Sequence, residues 1–269
     1  MTVITLLTDF GLRDGYPGVM KGVIWKIAPY VQIADISHDI KPQDIYHGAL
    51  ALSRTAPFFP PGTIHIAVVD PGVGTQRRPI GLHLEEHYFI GPDNGLFTLV
   101  LQHAESLGNT IQAFHLDQSS YWLPDISRVF HGRDIFAPVA AYLARGITLE
   151  KMSSKIHDPI RLEIPHPEPI QGGGWRGYII EIDTFGNLAT NIDRSLLSPL
   201  GEVQVRISDR YINQLVNTFG DRPPGTLIAL YGTAHDLMIS VVNGDAAREL
   251  NVSIGDFVEV YPENRTIFK

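Results

Sequence analysis

The chain has 269 residues, 44% hydrophobic and 19% charged, with 21 basic against 29 acidic side chains for a net charge of −8. That composition belongs to a soluble globular protein with room for about two cores, and it excludes global disorder. An acidic chain with no Lys/Arg run lacks the basic face that nucleic acid or an anionic membrane requires, and the absence of cysteine excludes disulfides, thiolate nucleophiles and Cys-bound zinc or iron–sulfur sites.

The opening "MTVITLLTDFG" is apolar for a few residues only and has no basic leader, so it reads as a first strand rather than a signal peptide. No apolar run reaches the ~18 residues of a membrane span, and a cytoplasmic location is the expectation. "VITLLTDF" is a continuous apolar run, as in a strand covered on both faces. "GYPGVMKGVIWKIAP" follows with Val19, Met20, Val23, Ile24 and Ile27 at helical spacing, ended by Pro29. "VQIADIS" is a second strand, "QDIYHGALALSRTAPFF" a second helix striped by Ile45, Ala49, Leu52 and Ala56, and "GTIHIAVVD" a third strand. This alternation predicts an α/β domain over residues 1–156, a mainly parallel sheet flanked by helices. Functional loops gather at the carboxyl ends of such strands, where Asp9, Asp35, Ser37, His38 and Asp70 fall. Residues 157–174, "HDPIRLEIPHPEPIQGGG", carry four prolines and a closing glycine run, the composition of a linker. Beyond it "WRGYIIEID", "VQVRI", "TLIALYG", "LMISVV" and "DFVEVYP" are short strands, so residues 175–269 are expected to form a smaller all-β, barrel-like domain.

Several stretches carry more chemistry than a fold needs. "DPGVGTQRRP" (70–79) follows a strand but matches neither phosphate-binding glycine pattern, and a plain turn would need no charge at both ends. "TDFG" (8–11) lacks every accompanying kinase motif; a carboxylate at a strand end, such as Asp9, is suited to a ribose diol, and a helix N-cap is its bland alternative. The eleven histidines show no tight metal-ligand spacing and read as scattered surface or helix-cap residues, with no metal expected. His131 differs. In "SRVFHGRDIFAPVA" (127–140) a helix start capped by Asp134 accounts for one charge and leaves the imidazole and guanidinium unexplained. In "IDTFGNLATNI" (182–192), Asp183, Asn187 and Asn191 flank Phe185 at a strand–turn–strand junction, an ordinary hairpin turn or an amide that reads an adenine edge beside a stacking ring.

Taken in order, "LLTDFGLRDGY", "ISHDIKPQDI", "VVDPGVGTQRR", "IGPDNGLFT", "VFHGRDIFAP" and "IDTFGNLATNI" resemble the S-adenosyl-L-methionine (SAM) hydroxide adenosyltransferases, adenosine-forming SAM hydrolases related to fluorinase and chlorinase. The resemblance runs from residue 4 to about 192 and resumes in "YGTAHDLMISVVNG". It implies attack of water or hydroxide on C5′ of the SAM ribose, with methionine leaving, no cofactor, and a homotrimer whose sites lie between neighbouring subunits. It puts the water-handling set on Asp70, Arg77 and His131, the ribose carboxylate on Asp9, the methionine ammonium on Asp14 and Asp183, the adenine amide on Asn187, and apolar walls on Phe130 and Phe185. Arg133 and Asp134 are left to structure. The chemistry suits these residue types: the sulfonium leaves as a neutral thioether, so what must be supplied is a dry, aligned oxygen nucleophile. Residue types alone leave the base open between Asp70 and His131.

Two departures stand out. Where the halogenating relatives use a Ser-Arg pair on the substrate carboxylate, this chain reads Thr233-Ala234, leaving that task to Thr233 and backbone amides, and Asn243 falls one position later than an ungapped match gives. Rival readings are a SAM-dependent halogenase, a non-catalytic SAM or adenosine sensor, and a metal-dependent hydrolase. The fluorinase has Tyr and Ser at His131 and Gly132 and lacks Asp70 and Arg77, and a sensor would have no use for the Asp-Arg-His set.

Overall fold

A computed structural model describes residues 2–263, and its contacts divide the chain into two compact units, before and after Leu162. The first unit runs β1 (Val3–Thr8), α1 (Tyr16–Ile27), β2 (Gln32–Ser37), α2 (Ile45–Thr55), β3 (Ile64–Val68), β4 (Pro79–Leu84), β5 (His87–Pro92), α3 (Thr98–Ser106), β6 (Ile111–His115), α4 (Ala137–Ala144), α5 (Leu149–Met152) and β7 (Ser154–Ile156). Its seven strands form one sheet in the order β2-β1-β3-β5-β4-β6-β7. The β2-β1-β3-β5 side is parallel, as the alternation predicts; β4, β6 and β7 extend it antiparallel.

Strand alternation sorts the core onto both faces of this sheet. Ile64, Ile66 and Val68 of β3 pack with Met20 and Ile24 of α1 and Val139 and Ala140 of α4. Ala67 and Val69 face the other way, onto Ala49 and Leu52 of α2 and Val100 and Leu101 of α3. α1 takes Pro17 in its first turn and stops at Ala28, because Pro29 cannot continue it. Since β1, β2 and β3 run the same way, the loops holding Asp9, His38 and Asp70 leave at one end of the sheet. Asp35 lies inside β2 rather than in the loop beyond it.

The first residues of the Pro-rich stretch are tied to this unit. Arg78 donates to Asp158 Oδ1 (3.0 Å) and to Asp93 (2.8 Å), Asp93 accepts from Ile160 N (2.7 Å), and Thr98 Oγ1 accepts from Leu162 N (2.8 Å).

The second unit comprises β8 (Glu168–Ile170), β9 (Gly174–Ile182), β10 (Leu188–Asp193), α6 (Arg194–Leu197), β11 (Val203–Ile207), β12 (Arg210–Asn213), β13 (Leu227–Tyr231), β14 (Asp236–Val241), α7 (Ala246–Leu250) and β15 (Phe257–Pro262). Its strands are antiparallel in the order β12-β11-β15-β9-β10-β14-β13, with β8 beside β9. Their inward residues, among them Val205, Ile179, Leu188, Ile239 and Val260, share one core, so the sheet is barrel-like. β8 falls inside the stretch read as a linker, where Glu168–Ile170 pairs with Gly174–Arg176.

Candidate active site

Asp70 lies just beyond β3, where the chain folds back through two turns: Val73 N donates to Asp70 O (3.2 Å) and Thr75 N to Gly72 O (3.2 Å). Arg77 thereby returns over Asp70. Its Nε donates to Oδ1 (3.1 Å) and its Nη2 to Oδ2, a two-point pairing with both side chains below 8% exposure. The turn also needs a glycine. Gly74 has φ +76°, and a Cβ there would lie 2.1 Å from the carbonyl oxygen of Arg128. That backbone contact presses the 70–79 loop against the segment leading to His131.

The segment Gly132–Phe136 is a π-helical turn feeding α4, the kind of widened turn often found at functional sites. Asp134 does not cap this helix, as the simple reading of the motif has it. It is fully buried, accepts from Ser127 N (2.8 Å) and pairs with Arg133 (3.0 Å to Nη2), so it fastens the incoming loop. Arg133 in turn covers the Phe130 ring at 5.3 Å. Both residues left to structure do structural work.

His131 then meets Arg77, whose Nη2 lies 3.0 Å from His131 Nδ1. A guanidinium only donates, so Nδ1 accepts and the ring proton sits on Nε2. Burial and the neighbouring Arg77 push the His131 pKa below its ordinary value against the opposing pull of Asp70 and Asp134, so the ring is neutral at neutral pH. Arg77 Nη1 is buried with no hydrogen-bond partner among the described residues. An orphan guanidinium N–H beside an imidazole and a carboxylate is a donor awaiting an oxygen.

The remaining predicted residues of the first unit line the same end of the sheet. Asp9 Oδ2 accepts from Gln43 N (2.9 Å); the cap of α2 is Asp44, through His47 N (2.9 Å), so the helix-cap reading of Asp9 fails. Asp14 lies exposed in the loop before α1. Phe130 packs edge-on against Phe10 (5.8 Å between centroids) and Tyr16 (5.2 Å), which also meet each other at 6.0 Å. Phe10 and Tyr16 thus join Phe130, one of the two predicted wall residues; both stand in the quoted first motif, and nothing in their spacing marked them.

On the second unit, Asp183, Phe185 and Asn187 form the β9–β10 turn. Asp183 Oδ1 accepts from Phe185 N and Asn187 N (2.9 Å each), and Oδ2 from the Asn187 amide (2.7 Å). The three predicted site residues therefore form an ordinary hairpin turn, with Phe185 75% exposed at its tip. Thr233 is exposed in the β13–β14 turn.

Two histidines depart from the surface reading: His65 is fully buried in β3 and His38 is 5% exposed. Among the described residues no three His, Asp or Glu side chains group as metal ligands would, and no helix is long and apolar enough to cross a membrane. A hollow of about 450 Å³ lined by Ile64, His83, Tyr88, Gln112 and Glu150 lies at the amino ends of β3 and β5, away from Asp70 and His131.

Residues 4–153 match the SAM hydroxide adenosyltransferase N-terminal domain and residues 177–259 the C-terminal domain of the same family. An (R)-S-adenosyl-L-methionine hydrolase of Salinispora tropica is 37% identical over 259 residues, covering 96% of this chain and 97% of the relative. One from Thermus thermophilus is 36% identical, covering 95% and 98%. A fluorinase of an Actinoplanes species is 28% identical over 76% of this chain and 77% of its own. The crystal structure of an uncharacterized conserved protein from Thermotoga maritima superposes with a TM-score of 0.88 at 36% identity, covering 96% of this chain and 99% of that one.

Proposed function

The chain belongs to the SAM hydroxide adenosyltransferase family, and from that membership and its site we propose that it is an enzyme hydrolysing SAM to adenosine and L-methionine. The observation that carries this reading is the Asp70–Arg77–His131 constellation with its unpartnered Arg77 Nη1. A water giving up its proton becomes hydroxide with three lone pairs: two accept from Arg77 Nη1–H and His131 Nε2–H, and the third faces C5′. The C5′–O bond forms as the C5′–S bond breaks, its electron pair leaves on sulfur as a neutral thioether, and the water proton departs. His131 has no free lone pair, since Nδ1 accepts from Arg77 and Nε2 carries hydrogen, so Asp70 is the base. Each Asp70 oxygen has a second lone pair beyond the one given to Arg77. Attack on a sulfonium destroys charge, which a water-poor pocket favours, and a neutral leaving group calls for no metal or cofactor.

Around this centre Asp9 holds the ribose diol, Phe130 with Phe10 and Tyr16 forms an apolar wall, and Asp14 and Asp183 attract the ammonium. Asn187, its amide hydrogen on Asp183, keeps Oδ1 for the adenine amino group, with Phe185 against the base and Thr233 on the carboxylate. These groups divide between the two units, as in the proposed homotrimer whose neighbouring copies complete each other's sites; a cytoplasmic location belongs to the same proposal. The exposed Leu12 (69%), Val19 (45%), Val129 (77%) and Phe185 (75%) are apolar surface that such an assembly would cover. Light scattering is expected to give three times the 29.8 kDa chain mass; a fully active monomer would contradict the shared site.

The decisive experiment is turnover of SAM in oxygen-18 water with a strong chelator present. Label at the 5′-oxygen of adenosine with equimolar methionine is the expected result. Methylthioadenosine or S-adenosylhomocysteine as main product would replace this reading. The (R) in the relatives' names can refer only to sulfur, because L-methionine and adenosine fix the other centres. We therefore expect the sulfonium R epimer to turn over faster than the S epimer when each is assayed alone.

A further inference from the structure

We propose that His38 is a positioning residue that clamps both ends of the turn presenting Asp9, and that Asp35 and Lys21 hold it in place; this rests on the reading of Asp9 as the ribose carboxylate. The turn begins at Thr8, the last residue of β1, and ends at Gly11, whose φ is +66°. His38 holds the first end through its side chain, with Nδ1 2.8 Å from Thr8 Oγ1. It holds the second through its backbone, where its carbonyl accepts from Gly11 N at 2.8 Å. Asp9 lies between these two anchors.

The hydrogen bonds also fix which atom donates. The Thr8 hydroxyl accepts from Phe10 N (3.3 Å) and donates to His38 Nδ1, because the Asp35 carboxylate, which only accepts, places the imidazole hydrogen on the nitrogen facing it, Nε2. Asp35 Oδ1 lies 3.1 Å from that nitrogen, off the straight N–H line, and Lys21 Nζ lies 2.6 Å from Asp35 Oδ2. Burial opposes ionisation of Asp35, but Lys21 and His38 outweigh it and hold the carboxyl below its ordinary range. A chain of four polar groups therefore runs from α1 through β2 to the end of β1. Thr8 is fully buried and His38 nearly so, and two apolar side chains would fill the same space without the cost of desolvating a hydroxyl and an imidazole. What the polar chain adds is direction: it fixes the backbone from which Asp9 projects, to which Gln43 N adds one bond on Oδ2.

The test is steady-state SAM hydrolysis by the full chain, with wild-type turnover confirming the activity itself. Thr8→Val, nearly isosteric and lacking the hydroxyl, and His38→Gln should each raise KM for SAM about tenfold, the scale of one lost anchoring hydrogen bond, with a much smaller change in kcat. Thr8→Ser should restore KM. Thr8→Val added to Asp9→Asn should raise KM no further than Asp9→Asn alone, since both act through one carboxylate. A purely structural chain would lower the melting temperature and leave KM of the folded variants unchanged; that result, with Asp9→Asn raising KM, overturns the clamp and keeps the ribose reading. Additive effects in the double variant overturn the clamp as well. If Asp9→Asn leaves KM unchanged in an enzyme that turns over SAM, the ribose reading and the clamp fall together.

Discussion

His131→Ala and Arg77→Ala are expected to lower kcat for SAM hydrolysis by ~100-fold or more, the scale of acid–base and orienting groups, with SAM affinity changed little. The reason is the site's division of labour. Arg77 bonds Asp70 twice and His131 once and keeps Nη1 for the nucleophile, so its loss removes the water's anchor and frees the other two side chains at once. His131→Ala removes the Nε2–H contact to the same oxygen and the acceptor of one Arg77 Nη2 hydrogen. Because the three act as a unit, the double variant should be hardly slower than either single one. Asp9→Ala is expected to behave differently, weakening SAM binding by ~1.5–3 kcal/mol, as for hydrogen bonds to a charged group. Some kcat follows, because ribose contacts also aim C5′.

Acidification gives an independent check on the same prediction. Only neutral His131 can accept from Arg77, and its pKa is held below the ordinary histidine value by burial and Arg77. The acidic limb of the kcat profile should therefore have its midpoint below the ordinary histidine range, and that limb should be absent in His131→Ala. Asp70→Asn carries a second cost. It leaves the buried Arg77 charge uncompensated, and removing one partner of such a pair destabilises by ~3–5 kcal/mol. Its kinetics must be read per folded molecule. Single-turnover assays beside calorimetric titration with SAM separate all these effects. Unchanged chemistry in folded His131→Ala would sink the mechanism.

The parallel half of the first sheet was legible because β1 and β3 are continuous apolar runs and α1 and α2 carry clean helical stripes. Strand direction was not, since period-two patterning is the same for β4, β6 and β7 whichever way they run. In the second unit β12, α6 and α7 span four or five residues each, too short for any periodicity to register. The proposed catalytic set came from resemblance, because Asp70, Arg77 and His131 stand in ordered motifs. The supporting residues were not legible. Asp134 reads as a helix cap until its carboxylate is seen on Ser127 N, seven residues back. His38 and His65 read as scattered histidines because their partners, Thr8 and Thr5, lie on another strand 30 and 60 residues away.

His65 leads to the other large expected effect, an acid-labile fold. Its ring is fully buried on β3, stacked on Phe89 at 5.0 Å with Phe59 edge-on at 5.6 Å. Nδ1 lies 2.8 Å from Thr5 Oγ1 and Nε2 3.4 Å from His87 Nδ1, so no anion is at hand to receive a second ring proton. Burial, and then the neighbouring His87, lower its pKa from 6.5 to about 3. In the unfolded chain it titrates near 6.5, so between these values the unfolded state binds more protons and stability falls with pH. The contribution is complete above pH 6.5 and lost progressively below it, by ~1.4 kcal/mol per pH unit and about 5 kcal/mol over the whole window. That compares with a total of ~5–15 kcal/mol for a typical domain. His87 and His131, also lowered, act in the same direction. Carboxylates held low, such as Asp35 and Glu259, lose their contribution as pH falls below about 4.5, the range where carboxyls titrate when unfolded. Between pH 6.5 and 4.5 the histidines therefore dominate. His65→Asn, whose amide still reaches Thr5, should recover ~2–3 kcal/mol of the wild-type loss across that interval. Calorimetric melting of both proteins from pH 7.5 to 4.5 measures it, the wild-type melting temperature dropping more steeply than that of the variant. Parallel curves would mean that His65 takes up its proton in the folded state after all.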